Sequence, residues 1–120
     1  MNTINKTPDP QLIVIFGASG DLTGRKLMPS LFELHVRDLL PKHFCIIGAS
    51  RTEFTDGTFR TEQKKHIKEN LKGKEYNDKD VDLFLSCVYY VALDTTNSEE
   101  YPKLKERIQA LQNKYILDDK

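Results

Sequence analysis

The residues whose types and spacing best suit ligand binding form a glycine-containing turn, which directly follows the short apolar run 12–16. Its six residues are Gly17, Ala18, Ser19, Gly20, Asp21 and Leu22. A glycine at a strand end permits a sharp turn, and a second glycine, which lacks a Cβ, lets a diphosphate approach the backbone. The amides that begin the following helix have no intrahelical partners and can donate to that diphosphate. The spacing predicts a dinucleotide-binding turn, although an ordinary strand–turn–helix corner can also contain two glycines.

A second candidate group follows the next apolar run, in Ala49-Ser50-Arg51-Thr52. In dinucleotide folds the residues after the second strand meet the adenosine ribose. An acid there favours NAD by accepting from the 2′-hydroxyl, whereas an arginine favours NADP by pairing with the 2′-phosphate. No acid precedes Arg51, whose planar guanidinium suits a phosphate, although Glu53 is close by. We therefore predict NADP as the cofactor, with an ordinary surface arginine as the alternative.

Strands that alternate with helices must position these groups. Three strands are predicted over 12–16, 43–48 and 88–92, the first as a fully buried strand. Helices are predicted over 21–39, where Pro29 should kink or divide the helix, then over 57–71 and 77–85, and finally after Ser98.

Candidate N-caps and the spacing of apolar residues support these helix predictions. Thr55 or Asp56 is predicted to cap the second helix, and Ser98 the last one. The first helix has an apolar face of Leu27, Met28, Leu31 and Leu34. The last repeats apolar residues at steps of three and four: Tyr101, Leu104, Ile108, Leu111 and Tyr115. We interpret Lys64, Lys65, Lys68 and Lys72 as a solvated face, with a phosphate-binding patch as the alternative.

The element order predicts right-handed crossovers and a parallel sheet. The fold class is therefore α/β, with the chain forming the first half of a Rossmann-type doubly wound parallel sheet (β-α-β-α-β-α). Residues 11–120 form this partial domain, and residues 1–10 a flexible arm. Because the first strand is central in such sheets, three strands leave an apolar edge unpaired. We therefore expect a truncated piece of a longer enzyme.

Composition excludes several function classes. The chain has 120 residues, and its 18 basic and 18 acidic residues cancel. This balance argues against a nucleic-acid partner. No apolar run approaches the roughly 20 residues of a membrane span, and no signal peptide is evident. Cys45 and Cys87 lie in apolar runs without CxxC spacing, which indicates buried free thiols and a cytoplasmic protein. No metal site is predicted.

The turn residues Gly17–Leu22, followed by Arg25, Lys26, Leu27 and Pro29, resemble the N-terminal signature of the glucose-6-phosphate dehydrogenase family. Residues 46–51 resemble its second-strand segment, and residues 90–101 its third strand and following helix. The resemblance covers about residues 11–117. One departure is Thr23 at the third glycine position of the fingerprint, where the family commonly has alanine. Gly24, one place later, does not restore the spacing.

This resemblance implies oxidation of glucose 6-phosphate at C1 to the lactone, with hydride transfer to NADP, at the start of the oxidative pentose phosphate pathway. It implies that Gly17–Leu22 hold the diphosphate and that Arg51 takes the 2′-phosphate. Asp94 and Thr95 would lie near the adenine. Lys26 would reach toward the substrate, and its alternative interpretation is a helix-surface lysine.

The family's catalytic histidine, its carboxylate partner and its substrate signature lie beyond residue 120. His35, His43 and His66 match no catalytic motif of the family. We therefore expect no catalytic residue in this chain, and no dehydrogenase activity from the chain alone. Family members are usually oligomers through their C-terminal domain, so the full-length protein is expected to be a homo-oligomer.

Two alternatives remain open at this point. A short-chain or epimerase-type nucleotide domain needs a Tyr-x-x-x-Lys pair. Tyr101 and Lys105 have that spacing, but at the start of the helix after the third strand. The other alternative is a non-enzymatic NADP-binding or protein-interaction module that uses the open sheet edge as its docking surface.

Overall fold

A parallel sheet lies at the centre of the fold. The computed structural model describes residues 11–40, 44–71 and 76–118. Within these ranges the sheet has three parallel strands in the order β1-β2-β3. They are β1 (Gln11–Phe16), β2 (Phe44–Ser50) and β3 (Val88–Ala92). The central strand β2 is buried along its whole length, as its apolar run predicts.

Helices cover both faces of this sheet. They are a π-helical turn (Thr23–Leu27), α1 (Met28–Val36), α2 (Asp56–Asn70), α3 (Asp78–Leu85), a short 3-10 helix (Ser98–Glu100) and α4 (Tyr101–Asp118). Ile46 of β2 belongs to the core cluster formed with α1, α2 and α3. Its neighbour Ile47 belongs to the cluster on the other face, formed with α4. The α/β class and the doubly wound arrangement are thereby confirmed.

The observed N-cap agrees with the prediction for α2 and differs from it for the last helix. Thr55 Oγ1 accepts from the Thr58 amide at 3.1 Å, which confirms Thr55 as the cap of α2. The last helix differs from its prediction, because Asn97 and not Ser98 supplies the cap. Asn97 Oδ1 accepts from the Glu99 amide at 3.0 Å, and the 3-10 helix that starts there passes directly into α4. The predicted start of β2 at His43 and the arm over 1–10 lie outside the described residues.

The first helical segment is divided, as the proline predicts, but its buried face is partly different. Pro29 lies in the first turn of α1, directly after the π-helical turn. Met28 is fully buried and Leu31 packs against the core, as predicted, whereas Leu27 and Leu34 are exposed and Phe32 is buried instead. The prediction is wrong for these two leucines because a π-helical turn has hydrogen bonds one residue longer than an α-helix, which shifts the apolar spacing around the axis.

Strand β1 is less buried than its apolar run suggests. Ile15 is buried, but Ile13 and Phe16 are exposed. Among the described residues β1 pairs only with β2, so one side of the strand has no neighbouring strand. The prediction of a fully buried first strand is therefore wrong for this sheet, whereas the predicted open apolar edge is present.

The opposite edge of the sheet, along β3, is closed by side chains from α2. The Tyr90 amide donates to Asp56 Oδ1 at 2.8 Å, and Arg60 Nε donates to the Val88 carbonyl at 2.7 Å. The other Asp56 oxygen accepts from Arg107 of α4. Because α2 and α4 lie on opposite faces, Asp56 joins both helical layers around the edge of β3.

Three lysines of α2 form ion pairs with acidic neighbours. Lys64 Nζ lies 2.8 Å from Asp82 Oδ1, and Lys68 Nζ lies 3.5 Å from Asp78 Oδ1, both on α3. Lys65 lies 3.9 Å from Glu62 on its own helix. This pairing agrees with a solvated face rather than with a phosphate-binding patch. Lys72 lies outside the described residues.

Both cysteines are free, as predicted. Cys45 is buried and Cys87 is half-buried. Burial raises the pKa of each thiol to about 11, so both are protonated at neutral pH. Separately, no helix in the described ranges is long and apolar enough to cross a lipid bilayer.

Gly48 of β2 permits a close approach at the centre of the sheet. A Cβ at this position would lie 2.7 Å from the Ala18 Cβ and 2.8 Å from Cζ of Phe59. Ala18 and Phe59 are themselves fully buried, so neither has free space to move into. The glycine therefore sets how closely the turn after β1 and helix α2 pack on the sheet.

We predict that Gly48→Ala lowers the free energy of unfolding by about 1–3 kcal/mol, because the added methyl group overpacks the core. Gly57→Ala is the matched control. Its Cβ would meet only Thr55 Oγ1, at 3.8 Å, and alanine is the better helix former. Urea unfolding followed by circular dichroism measures both. Equal unfolding midpoints for the two variants would contradict the close packing.

A second prediction concerns the β3 edge. Asp56→Ala leaves the Tyr90 amide and the Arg107 guanidinium without their carboxylate, and should cost about 2 kcal/mol of stability. Glu62→Ala, on the same helix, removes only exposed contacts to Lys65 and His66 and should change stability by less than about 0.5 kcal/mol. Denaturant unfolding of both variants checks the difference. A similar cost for both would show that the edge contact is dispensable.

Candidate dinucleotide-binding site

The glycine turn forms at the carboxyl end of β1. Gly17 has a φ of 68°, a conformation that side chains disfavour. Its amide donates to the Ala49 carbonyl at 2.8 Å, and the Ala18 amide reaches the same oxygen at 3.3 Å. The Gly20 amide then donates to the Gly17 carbonyl at 2.9 Å and closes the turn. Ala18 is buried under the turn, which leaves Ser19 and Gly20 exposed above the sheet edge.

The helical start after the turn exposes polar groups. Asp21 is exposed and lies 2.9 Å from Arg25 Nη2. Leu22 is also exposed, whereas Thr23 at the third fingerprint position is buried, as is the following glycine. Lys26 is exposed on the π-helical turn. Among the described residues, none of the hydrogen bonds that join the turn to the strand loops involves Lys26.

The loop after β2 contacts the turn directly. Ser50 Oγ donates to Ser19 Oγ at 3.0 Å, and Thr52 Oγ1 donates to the same oxygen at 3.0 Å. Arg51 lies between these two residues in the chain, with 74% of its side chain exposed. Two segments that the sequence identifies separately, the glycine turn and the arginine loop, are therefore joined by hydroxyl contacts.

The loop after β3 lies at the same carboxyl end of the sheet as the two preceding loops. Asp94 Oδ1 accepts from the Thr96 hydroxyl at 2.7 Å and from the Thr96 amide at 2.9 Å. These two bonds, and then the nearby Arg51 guanidinium, hold the pKa of Asp94 below its usual value. Arg51 Nε lies 3.5 Å from Asp94 Oδ1. Thr95 is exposed, and its carbonyl accepts from the Tyr101 hydroxyl at 2.8 Å.

An open cleft of about 240 Å³ lies between the loops after β2 and β3. It is lined by Arg51, Glu53, Ala92, Leu93, Asp94, Glu100 and Lys103. Ala92 and Leu93 form its apolar floor, and acidic and basic side chains surround it. Two predicted cofactor residues, Arg51 and Asp94, therefore face a common space.

Two residues of this region carry no signal of their own in the sequence. Ser50 is buried at the end of β2, and Tyr90 is buried in β3. Their hydroxyls contact each other, and Tyr90 also donates to the Thr52 carbonyl at 2.6 Å. Only the register of the parallel strands reveals this contact, because the two residues are 40 positions apart in the chain.

The described histidines serve other contacts. The His35 ring lies 5.5 Å from the Phe84 ring, and His66 Nε2 lies 3.6 Å from Glu62. Neither lines the cleft. His43 lies outside the described residues. Within the described ranges no three side chains of histidine, cysteine, aspartate or glutamate are grouped to hold a metal ion.

Comparison with known proteins connects this geometry to a family. Residues 14–119 match the family model described as the NAD binding domain of glucose-6-phosphate dehydrogenase. The glucose-6-phosphate 1-dehydrogenase of Aggregatibacter actinomycetemcomitans is 40% identical over 103 residues, which cover 86% of this chain and 20% of that protein. The Leuconostoc mesenteroides enzyme is 34% identical over 107 residues, covering 89% of this chain and 21% of its own length.

Solved structures agree. A glucose-6-phosphate dehydrogenase in complex with its substrate glucose-6-phosphate superposes with a TM-score of 0.76 at 32% identity, covering 93% of this chain and 23% of that one. The enzyme from Mycobacterium avium gives a TM-score of 0.72 at 28% identity, covering 82% and 21%. The chain thus spans about a fifth of the length of the curated relatives that it matches. It belongs to the glucose-6-phosphate dehydrogenase family, within the part that the family model describes as the NAD binding domain.

Proposed function

We propose that this chain is the NADP-binding part of a glucose-6-phosphate 1-dehydrogenase. The whole protein would oxidise glucose 6-phosphate to 6-phosphogluconolactone in the pentose phosphate pathway. The observation that carries the proposal is the convergence of Ser19, Thr52 and the exposed Arg51 at one corner of the sheet. That corner is formed by the glycine turn and by the loop that meets the adenosine ribose in dinucleotide folds.

The diphosphate is assigned to the turn Gly17–Leu22. The turn's own amides at Gly17, Ala18 and Gly20 are used to hold its shape. The amides at the start of the helix, from Asp21 onward, lack intrahelical acceptors and carry the positive end of the helix dipole. A diphosphate fits this corner, because the exposed Ser19 and Gly20 leave the approach open.

The 2′-phosphate is assigned to Arg51, with hydroxyls from Ser19 and Thr52. Ser19 Oγ accepts two hydrogen bonds, from Ser50 and Thr52, so its own hydrogen is left to donate outward. An outward hydroxyl beside an exposed guanidinium suits a dianionic phosphate rather than a ribose hydroxyl. This arrangement supports NADP over NAD.

The remaining assignments follow the same geometry. Asp94 and Thr95 are proposed to lie near the adenine, because they border the cleft that Arg51 also lines. Lys26 is proposed to face the substrate end, where its ammonium would attract a sugar phosphate. When bound, NADP supplies the hydride acceptor, and this chain's residues bind and orient it. We assign no catalytic base to these residues.

The wider expectations rest on the same proposal. Residues 11–120 are proposed as the first part of the nucleotide-binding domain, and glucose 6-phosphate as the substrate of the whole protein. One relative of known structure is described in complex with that sugar phosphate. The cytoplasmic location and the homo-oligomer stay predictions.

Arg51→Ala tests the cofactor assignment. We predict that the dissociation constant for NADP rises about 10- to 100-fold, because a charge-assisted phosphate contact is lost. The constant for NAD, which has no 2′-phosphate, should change less than about twofold. Arg37→Ala is the control, since Arg37 follows the carboxyl end of α1, away from the strand ends that carry the cleft. Isothermal titration calorimetry of the wild type and both variants measures all six constants. Equal losses for both dinucleotides would contradict the 2′-phosphate assignment.

A further inference from the structure

A buried tyrosine hydroxyl lies directly behind the candidate phosphate corner. Only 4% of Tyr90 is exposed, and its ring packs between Phe59, at 4.7 Å between ring centroids, and Phe54, at 5.3 Å. Its hydroxyl lies 2.6 Å from the Thr52 carbonyl and 3.2 Å from the Ser50 carbonyl. It also contacts Ser50 Oγ. Tyr90 therefore holds the two residues on either side of Arg51.

The available hydrogens give these contacts a direction. Ser50 has one hydroxyl hydrogen, which it donates to Ser19 Oγ. Tyr90 also has one hydroxyl hydrogen, and the Thr52 carbonyl at 2.6 Å, which can only accept, receives it. Burial raises the pKa of Tyr90, which keeps this hydrogen in place at neutral pH. Tyr90 therefore fixes the main chain of the Arg51 loop at Thr52, whose own hydroxyl donates to Ser19 Oγ at 3.0 Å.

The hydroxyl hydrogen of Ser19 has no acceptor among these residues. Ser19 Oγ receives hydrogens from Ser50 and from Thr52, which occupy both of its lone pairs. Its own hydrogen must therefore donate away from them. Ser19 is exposed, so this direction is toward the surface where the proposed 2′-phosphate would lie.

We infer that Tyr90 is a positioning residue that sets the preference of this site for a 2′-phosphorylated dinucleotide, although it contacts no ligand itself. Through the Thr52 carbonyl it holds the loop that presents Arg51, and with it the Thr52 hydroxyl that donates to Ser19. The inference rests on the proposed function, since it needs the phosphate to bind at this corner. It assigns a binding role to a buried residue of β3 outside the predicted site.

Tyr90→Phe is the direct test, because it removes the hydroxyl and retains the ring between Phe54 and Phe59. The expected result is a roughly 5- to 20-fold weaker affinity for NADP, with the affinity for NAD changed less than about twofold. Tyr89→Phe is the matched control. It removes the hydroxyl of the adjacent buried tyrosine, which lies 3.3 Å from Lys114 on the opposite face, and should leave both affinities unchanged.

Two further variants separate positioning from a general loss of structure. Ser50→Ala removes the Ser50 hydroxyl but keeps the bond from Tyr90 to the Thr52 carbonyl, so it should weaken NADP binding less than Tyr90→Phe does. In an Arg51→Ala background, Tyr90→Phe should have less than about a twofold further effect on NADP affinity, because two residues that act through one contact are not additive. Calorimetric titration with NADP and NAD, and circular dichroism of each variant, provide the data.

The possible outcomes distinguish this inference from the proposed function. Wild-type protein that binds NADP and NAD equally overturns the 2′-phosphate site, and this inference with it. Wild-type protein that prefers NADP, with a Tyr90→Phe variant that keeps the preference, overturns the inference alone. Equal losses for both dinucleotides, or full additivity with Arg51→Ala, would make Tyr90 a structural residue and would also overturn it. A selective, non-additive loss supports it.

Discussion

The last three residues of β2 hold the candidate site together, because every segment of the site is attached to their backbone or side chains. Gly48 has no Cβ and so admits Ala18 and Phe59 against the sheet. The carbonyl of the next residue, Ala49, accepts both amides that turn the chain away from β1. Ser50 accepts the Leu93 amide at 2.8 Å on its carbonyl and donates its hydroxyl to the turn. Because this strand is buried throughout, these contacts form in a rigid, water-excluded part of the fold.

Contacts at the β3 edge of the sheet also hold the site in place. Tyr90 is bound at both of its ends: its amide donates to Asp56, and its hydroxyl holds the loop after β2. Asp56 in turn binds Arg107 on the other face. The contacts that close the β3 edge and those that shape the phosphate corner therefore share one residue, which couples the stability of the sheet edge to the geometry of the loop.

Local patterns predicted the elements well, and the site in part. The apolar runs identified β2 and β3, and the predicted bounds of α2 and α3 lie within one residue of the observed ones. The glycine spacing and Arg51 identified the two loops that meet. Other features depend on what lies far away in the chain. The exposed Leu27 results from a π-helical turn, and the Ser50–Tyr90 contact depends on strand register over 40 residues. Neither has a local signal, because both arise from packing between elements.

The proposed phosphate corner combines a fixed donor with a movable one. Ser19 is held by two hydroxyl bonds, and Asp94 by two bonds from Thr96, so neither needs to reorganise when an anion binds. Arg51 is largely exposed, and its Nε lies 3.5 Å from Asp94 Oδ1. An exposed ion pair of that kind contributes little to stability, so the guanidinium can leave Asp94 and pair with a phosphate at a small cost in free energy. The lowered pKa of Asp94 keeps its carboxylate charged at neutral pH, so proton uptake does not gate the release of Arg51. Selectivity for a 2′-phosphate would then come from the charge of Arg51, and the fixed Ser19 hydroxyl would add a donor that loses little entropy on binding.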